Sequence, residues 1–342
     1  MAPPESPPEK PASKALVTAV VLFYIVAALS MVMANKWVLN TTSAPLFFLL
    51  VQLVIAVVLF GITDVLRLFP DRLTFELKTC KGLGAMVGLN VVGLSFSNYT
   101  LKYVDVSFYQ VARGLVLPFT VATSFALLHA RPSLRILLAC GAVTAGFVAG
   151  VLLDGTPLSP AGVAFGAASS AVTALAAVVI KQALPVVGGS TVLLAWYTNL
   201  LSALALAPLV VLAGEGPAVR ALVVGATPLG TFVWGSLIAG GLGFLMSIAG
   251  PLSIKVTSPI SHMVSSAVRG VASSLLGMWL FHDVLSGGRI ASIGIILVGS
   301  MYYTFVKYQE GQAAAAAAEG AGVYEPLAMD ELEAGKHTEE RA

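Results

Sequence analysis

Ten long apolar stretches dominate this sequence and leave few folds open to it. They cover residues 15–39, 45–67, 79–101, 104–129, 133–153, 160–184, 190–214, 228–254, 257–282 and 287–307. Each is close to the roughly 20 residues that a helix needs to cross a bilayer core. Only 11% of the residues are charged and the mean hydropathy is +0.90, whereas about 25% of a soluble domain is charged. The sequence therefore predicts an all-α membrane protein with ten transmembrane helices.

The segments outside these stretches are short or compositionally biased. Residues 1–14 are polar and proline-rich, which predicts a disordered leader without the order of a signal peptide. Residues 308–342 form an acidic, alanine-rich segment that predicts a disordered tail, with a short helix at the alanines. The first span then has to act as its own signal anchor. The connecting loops leave no room for a soluble domain.

The lysines and arginines predict the orientation in the membrane. If the amino terminus is cytosolic, the cytosolic flanks hold Lys10, Lys14, Arg67, Arg72, Lys78, Lys81, Arg131, Arg135, Lys181, Lys255 and Lys307, and the opposite flanks only Lys36, Lys102, Arg220 and Arg289. This excess obeys the positive-inside rule and predicts that both termini are cytosolic. The glycosylation sequons at Asn40 and Asn98 then lie on or near the non-cytosolic side.

Two arginines, Arg113 and Arg269, lie inside predicted spans in the similar segments "ARGLV" and "VRGVA". They are 156 positions apart, which is close to half of the membrane portion. We interpret this as two five-helix repeats, at 15–153 and 160–307. An odd number of helices inverts the second repeat relative to the first, as in many transporters whose substrate site lies at the repeat interface.

An arginine at the centre of a membrane helix needs compensation, because inserting it costs roughly 2.5 to 3.5 kcal/mol. The aspartates of the spans lie near helix ends and no glutamate is intramembrane, so an anionic ligand is the favoured partner. Guanidinium groups match phosphate oxygens in bidentate geometry. The alternative is that each arginine extends to the interface or bonds to carbonyls of a broken helix. We predict that Arg113 and Arg269 bind a phosphorylated ligand.

Several other functions are disfavoured. A net charge of +2 without basic clusters argues against nucleic-acid binding. Cys80 and Cys140 have neither metal-ligand nor redox spacing, and we predict that they are packing residues. No catalytic, metal or cofactor motif is recognisable, so an enzyme is not expected. A channel is a poor fit because the repeat suggests alternating access.

The sequence resembles the nucleotide-sugar and triose-phosphate transporters of the drug/metabolite transporter superfamily, and within it the Golgi GDP-fucose transporters. The matching segments are "SMVMANKWVL", "LKYVDVSFYQVARGL", "ALPVVGGSTVLLAWYTNLLSALALAPLVVLAGE" and "IKVTSPISHMVSSAVRG". The resemblance implies a membrane antiporter with ten helices that imports GDP-fucose into the Golgi or endoplasmic reticulum lumen in exchange for GMP, without a cofactor. It leaves a homodimer open.

The resemblance also implies roles for single residues. Arg113 and Arg269 would hold the diphosphate. From their positions we further predict that Lys36 and Lys181 guide anions at the two mouths, and for Lys36 the alternative is that its ammonium group extends to the membrane interface. Tyr197 and Asn199 match the tyrosine and last asparagine of a Phe-Tyr-Asn-Asn motif and would contact the base, although Trp196 and Thr198 depart from that motif. The residues expected at the sugar end are Tyr109, His262, Ser265 and Ser266.

The alternatives are a carrier of GDP-mannose or another nucleotide sugar, then a carrier of triose phosphate or another organic phosphate, and then a membrane scaffold that transports nothing. An organic-phosphate carrier needs the same arginines but no base pocket. A scaffold should bind no nucleotide.

Overall fold

The structure is a computed structural model that describes residues 14–69, 71–129, 131–155, 157–225, 228–256 and 259–320. Within these ranges the regular elements are helices and no strand occurs, which confirms the all-helical prediction. The helices are α1 (Lys14–Leu39), α2 (Pro45–Val65), α3 (Leu77–Gly82), α4 (Gly84–Tyr103), α5 (Val106–Gly114), α6 (Val116–Leu128), α7 (Leu134–Leu152), α8 (Pro160–Ala183), α9 (Thr191–Leu212), α10 (Gly216–Val223), α11 (Leu229–Val256), α12 (Pro259–Phe281) and α13 (Gly287–Gly320). A 3₁₀ turn, Leu184–Val187, follows α8.

Eight helical stretches of the described chain are long and apolar enough to cross a membrane. The predicted third span, which contains α4, does not meet that standard, and in the predicted ninth span the apolar stretch among the described residues is the shorter Val268–Phe281 of α12. In α4 the reason is a series of polar residues that face the protein interior: the Asn90 amide donates to Ser202 at 2.9 Å, and Ser97 lies 2.7 Å from the Tyr109 hydroxyl. Length and composition thus support eight of the ten predicted spans.

The predicted fourth span is broken at Leu115, between α5 and α6. Pro118 lacks the N–H that a continuous helix would direct to the carbonyl of Gly114, so the regular ladder cannot continue through this point. At the break itself, the Leu115 N–H donates to the carbonyl of Ala112 at 3.1 Å, three residues back, whereas in an α-helix it would donate to the residue four back. The break places Arg113 in the last turn of α5, where the negative end of the helix dipole favours a cation.

The last helix, α13, extends to Gly320, beyond residue 307 where we expected the tenth span to end. Its final turns contain six consecutive alanines, the residue with the highest helix propensity. The leader up to residue 13 and the tail from residue 321 lie outside the described residues.

Helices from the two halves of the chain pack against each other in pairs. The most extensive contacts between the halves join α7 with α13, α4 with α8, α1 with α11, α2 with α11 and α2 with α9, and α12 packs on α5. Glycines allow some of these close approaches. At Gly240 of α11, an added Cβ would lie 2.7 Å from the Cβ of Ile55 and 3.1 Å from the Gln52 carbonyl oxygen.

Buried polar contacts concentrate at one end of the bundle, which we call the distal end: the end at which α1 finishes and α2, α5 and α13 begin. Its centre is the distal ion-pair cluster, formed by Asp105, Ser107, Asp154, Ser286 and Arg289. The Arg289 guanidinium forms ion pairs with Asp154 and, at 2.9 Å, with Asp105, and donates to the Ser107 hydroxyl at 2.7 Å. The Ser286 hydroxyl donates to Asp154 at 2.5 Å.

Two further charges at the distal end bind backbone groups. The Lys36 ammonium donates to the carbonyls of Leu101 and Val104, at 2.9 and 2.7 Å, where α4 ends. The Asp283 carboxylate accepts the Val106 N–H at 2.8 Å, where α5 begins. Burial and the neighbouring Asp105 carboxylate raise the pKa of Asp283. These contacts tie α1 to α4 and the end of α12 to α5.

Glu215 caps the first turn of α2. The residue at the N-cap position, Ala44, has no side-chain acceptor for the free N–H groups of that turn, and the Glu215 carboxylate takes this role. It accepts the N–H groups of Leu46 and Phe47 at 2.9 and 2.8 Å, and only 5% of Glu215 is exposed. The carboxylate also lies at the positive end of the α2 dipole.

Replacing Glu215 by alanine should lower the free energy of unfolding by about 2 to 3 kcal/mol, because one buried and one partly buried N–H group lose a charged acceptor. Thermal unfolding of the purified protein in detergent measures the effect. Glu215→Gln keeps one acceptor oxygen and should lose less. An alanine variant as stable as the parent would show that water satisfies these groups equally well.

Candidate functional site

A cavity of about 560 Å³ contains both of the arginines singled out in the sequence. It lies between α5, α6, α12 and α13. Its lining is largely aliphatic and aromatic, and its polar members are Gln110, Arg113, Thr120, Arg269, Ser300, Tyr303 and Thr304. The structure thus brings together two cations that are 156 positions apart in the chain.

Arg113 is held by a tyrosine one turn before it in α5. Its guanidinium donates to the Tyr109 hydroxyl at 3.1 Å and lies 5.7 Å from the centre of the Tyr109 ring, within cation–π range. The same hydroxyl lies 2.7 Å from Ser97 of α4. Tyr109, expected at the sugar end, therefore connects Arg113 to a neighbouring helix, while Arg113 itself remains accessible from the cavity.

Arg269 has a matching arrangement with a tyrosine from the other half of the chain. Its guanidinium donates to the hydroxyl of Tyr24 in α1 at 3.0 Å and lies 5.5 Å from the ring centre. Among the residues that the structure describes, each arginine thus has one hydroxyl partner and one aromatic face. A neutral hydroxyl does not neutralise a charge, and a guanidinium has five N–H donors, so the described partners leave donors of each arginine available for an anion.

The described residues provide no carboxylate partner for either arginine. The ion pairs between described side chains involve Arg72, Arg289 and Lys307 instead. Two guanidinium groups on one largely apolar cavity suit a ligand with one or more phosphates, because charge-assisted bidentate bonds are strongest where water is scarce.

The two residues expected to contact a base do not line this cavity. The Tyr197 hydroxyl accepts the Glu76 N–H at 2.9 Å and lies 3.5 Å from Thr74, and the residue is only 1% exposed. The Asn199 amide donates to the Ala195 carbonyl of its own helix at 2.8 Å.

The remaining predicted residues lie elsewhere or cannot be placed. Lys36 is buried at the distal end, as described above, and does not line the cavity. Ser265 is buried in α12. The side chains of Lys181, His262 and Ser266 lie outside the described residues.

Sequence reasoning missed Tyr24 and the distal ion-pair cluster. Tyr24 lies in an apolar run where a tyrosine is unremarkable, although its position away from both ends of the first span is a signal against an interfacial role. Arg289 and Asp154 each lie close to a helix end, so they were indistinguishable from ordinary flanking charges.

Comparison with known proteins gives consistent matches over most of the chain. The model of the Triose-phosphate Transporter family matches residues 15–304. A GDP-fucose transporter 1 of Monosiga brevicollis is 32% identical, over 85% of this chain and 90% of the relative. The GDP-fucose transporter 1 of Mus musculus is 31% identical over 86% and 84%, and the Golgi GDP-fucose transporter of Drosophila melanogaster 30% identical over 85% and 90%.

The family match includes both arginines of the cavity as well as the distal ion-pair cluster. Transporters, and not enzymes, make up the family, in agreement with the prediction from the sequence. The apolar helices agree with its multi-pass membrane character. This chain belongs to the triose-phosphate transporter family.

Proposed function

We propose that this protein is a nucleotide-sugar antiporter of the Golgi membrane that imports GDP-fucose in exchange for GMP. The observation that carries the proposal is the cavity in which Arg113 and Arg269 lie together without a carboxylate partner among the described residues. The names of the relatives support the choice of GDP-fucose. In this proposal the two guanidinium groups bind the diphosphate of the nucleotide sugar.

The proposed architecture is ten spans in two inverted five-helix repeats with both termini cytosolic. A twofold relation would equate spans one to five with spans six to ten. The helix packing supports this relation. Three of the packed pairs, α2 with α9, α5 with α12 and α7 with α13, each join a span of the first half to the corresponding span of the second half. The twofold rotation would also convert the pair α1 with α11, which are spans one and eight, into the pair α8 with α4, which are spans six and three.

Exchange follows from the charges of the cavity. Without a ligand, the two guanidinium groups repel each other in a site of low dielectric, which opposes closure around an empty cavity. A bound phosphate relieves this repulsion from either side of the membrane. The carrier would therefore change its orientation when loaded with GDP-fucose or GMP, and rarely when empty.

The base is proposed to contact Tyr197 and Asn199, as the sequence suggests. In this conformation Tyr197 is bonded to the backbone of Glu76, so base binding at Tyr197 requires that contact to open. Lys181, His262, Ser265 and Ser266 remain proposals from the sequence. For Lys36 the proposed role as an anion guide requires release from the two carbonyls that it binds here.

The second candidate is an organic-phosphate carrier, favoured by the apolar lining of the cavity and by the absence of Tyr197 and Asn199 from that lining. Thermal unfolding of the purified protein with GMP, GDP-fucose or a triose phosphate separates the two. Protection by both nucleotides, at concentrations where the triose phosphate has no effect, supports the first proposal. Equal protection by the triose phosphate would favour the second.

A further inference from the structure

The distal ion-pair cluster lies one helical turn beyond the cavity. On α5, Ser107 of the cluster precedes Val111 of the cavity by four residues, and on α13, Arg289 precedes Ile293 by four. Four residues of helix correspond to about 6 Å. The cluster therefore forms the layer directly below the cavity at the distal end.

The centre of this layer is buried, whereas 40% of the Asp105 side chain at its edge is exposed. Arg289 is 0% exposed and Asp154 is 1% exposed. Their contacts join the beginning of α5, the end of α7 and the beginning of α13, and of these helices α5 and α13 also line the cavity. Beside the cluster, the Lys36 ammonium binds the Val104 carbonyl at the end of α4, and the Asp283 carboxylate binds the Val106 N–H at the beginning of α5.

The opposite end of the bundle has a different character. The cavity lining extends in that direction, to Thr120 on α6 and to Phe305 on α13. The ion pairs described there are long, at 3.6 Å for Arg72 with Asp64 and 3.9 Å for Lys307 with Glu310, and the two basic side chains are 55% and 53% exposed. Such surface pairs contribute little to stability.

We propose that the distal ion-pair cluster is the gate that closes the cavity on the lumenal side. The gate opens when Arg289 separates from Asp154 and Asp105, and it forms again when the carrier returns to the conformation seen here. Water entering from the lumen would solvate the separated charges and so lower the free energy of the open state. Apolar side chains in the same place would have to be exposed to water on opening, which is unfavourable. The inference rests on the proposed alternating access and on the cytosolic placement of the termini.

The test measures access to the cavity from each side and does not require transport. Cys80 and Cys140 are replaced by alanine, and Thr120→Cys, on the cavity wall, serves as the reporter. The full chain is reconstituted in vesicles of phosphatidylcholine, and proteins with the cytosolic face outwards are selected for analysis. A membrane-impermeant maleimide is supplied either outside or trapped inside, with an impermeant thiol quenching the opposite side.

With the gate intact, the reporter should react from outside and only slowly from inside. Asp154→Asn, which removes one charge of the gate, should increase the rate from inside at least tenfold. Arg289→Lys keeps the charge but loses the forked geometry, so it should give a smaller increase and serves if Asp154→Asn does not fold. Arg72→Gln, at the opposite end, is the matched control and should leave the inside rate unchanged.

The proposal is overturned if the parent reporter reacts equally from both sides, or if folded Asp154→Asn and Arg289→Lys proteins react from inside no faster than the parent. Nucleotide-sugar uptake is measured on the same vesicles. A gate effect without any uptake would contradict the proposed function while leaving the gate in place.

Discussion

Replacing Arg269 by alanine is expected to reduce nucleotide-sugar exchange at least about 100-fold. The reason is the loss of a charge-assisted, bidentate contact to phosphate, and each hydrogen bond to a charged group contributes about 1.5 to 3 kcal/mol. A loss of about 2.8 kcal/mol corresponds to a factor of 100. Membrane insertion should persist, because removing a buried charge favours insertion.

Two further variants make this prediction specific. Arg269→Lys keeps the charge without the planar fork and should retain part of the exchange. Arg220→Ala removes an exposed arginine of α10, far from the cavity in the chain, and should exchange normally. If the inserted Arg269→Ala protein exchanges at the parent rate, Arg269 does not bind the phosphates in the way proposed.

The second large effect is on stability. Arg289→Met leaves Asp154, which is 1% exposed, without its cation. Removing one partner of a buried ion pair destabilises a protein by about 3 to 5 kcal/mol, because the remaining charge stays desolvated. The midpoint of thermal unfolding in detergent should therefore fall well below that of the parent.

A double variant separates the burial of charge from the loss of packing. Arg289→Met combined with Asp154→Leu replaces the pair by apolar groups, and such replacements are often neutral in stability. We therefore expect the double variant to recover most of the loss, although Asp105 keeps its charge at a site where 40% of its side chain is exposed. If Arg289→Met alone is as stable as the parent, the ion pair contributes nothing.

The membrane character and the two arginines could be predicted from the sequence. Apolar runs of fixed length have few structural solutions in a bilayer, since each backbone polar group must be satisfied within its own helix. Arg113 and Arg269 were conspicuous because each lies far from a span end. The structure places both of them in one cavity.

The distal contacts could not be predicted, because they depend on which helix ends meet. Arg289 was interpreted as a flanking charge and Lys36 as a flanking charge that guides anions. Hydropathy alone does not distinguish a lysine at the interface from one that binds the carbonyls of another helix. The partners of Lys36 lie 65 and 68 positions away. Tyr197 is a similar case, because its contact with Glu76 depends on the loop before α3.

The third and fourth spans show the limits of counting apolar residues. The polar side chains of α4 lower its apparent suitability for a membrane, yet Asn90 and Ser97 bond to other helices. In the fourth span, Pro118 gave a sequence signal for the break at Leu115 that a length criterion does not use.

The most direct test of the central claim is uptake of labelled GDP-fucose, GDP-mannose and UDP-sugars into proteoliposomes, each with and without GMP inside. We predict uptake of GDP-fucose that trapped GMP stimulates, with little uptake of the others. Stimulated uptake of GDP-mannose instead would keep the antiport and change the substrate. Absence of uptake for every nucleotide sugar, by protein that is folded and inserted, would contradict the account.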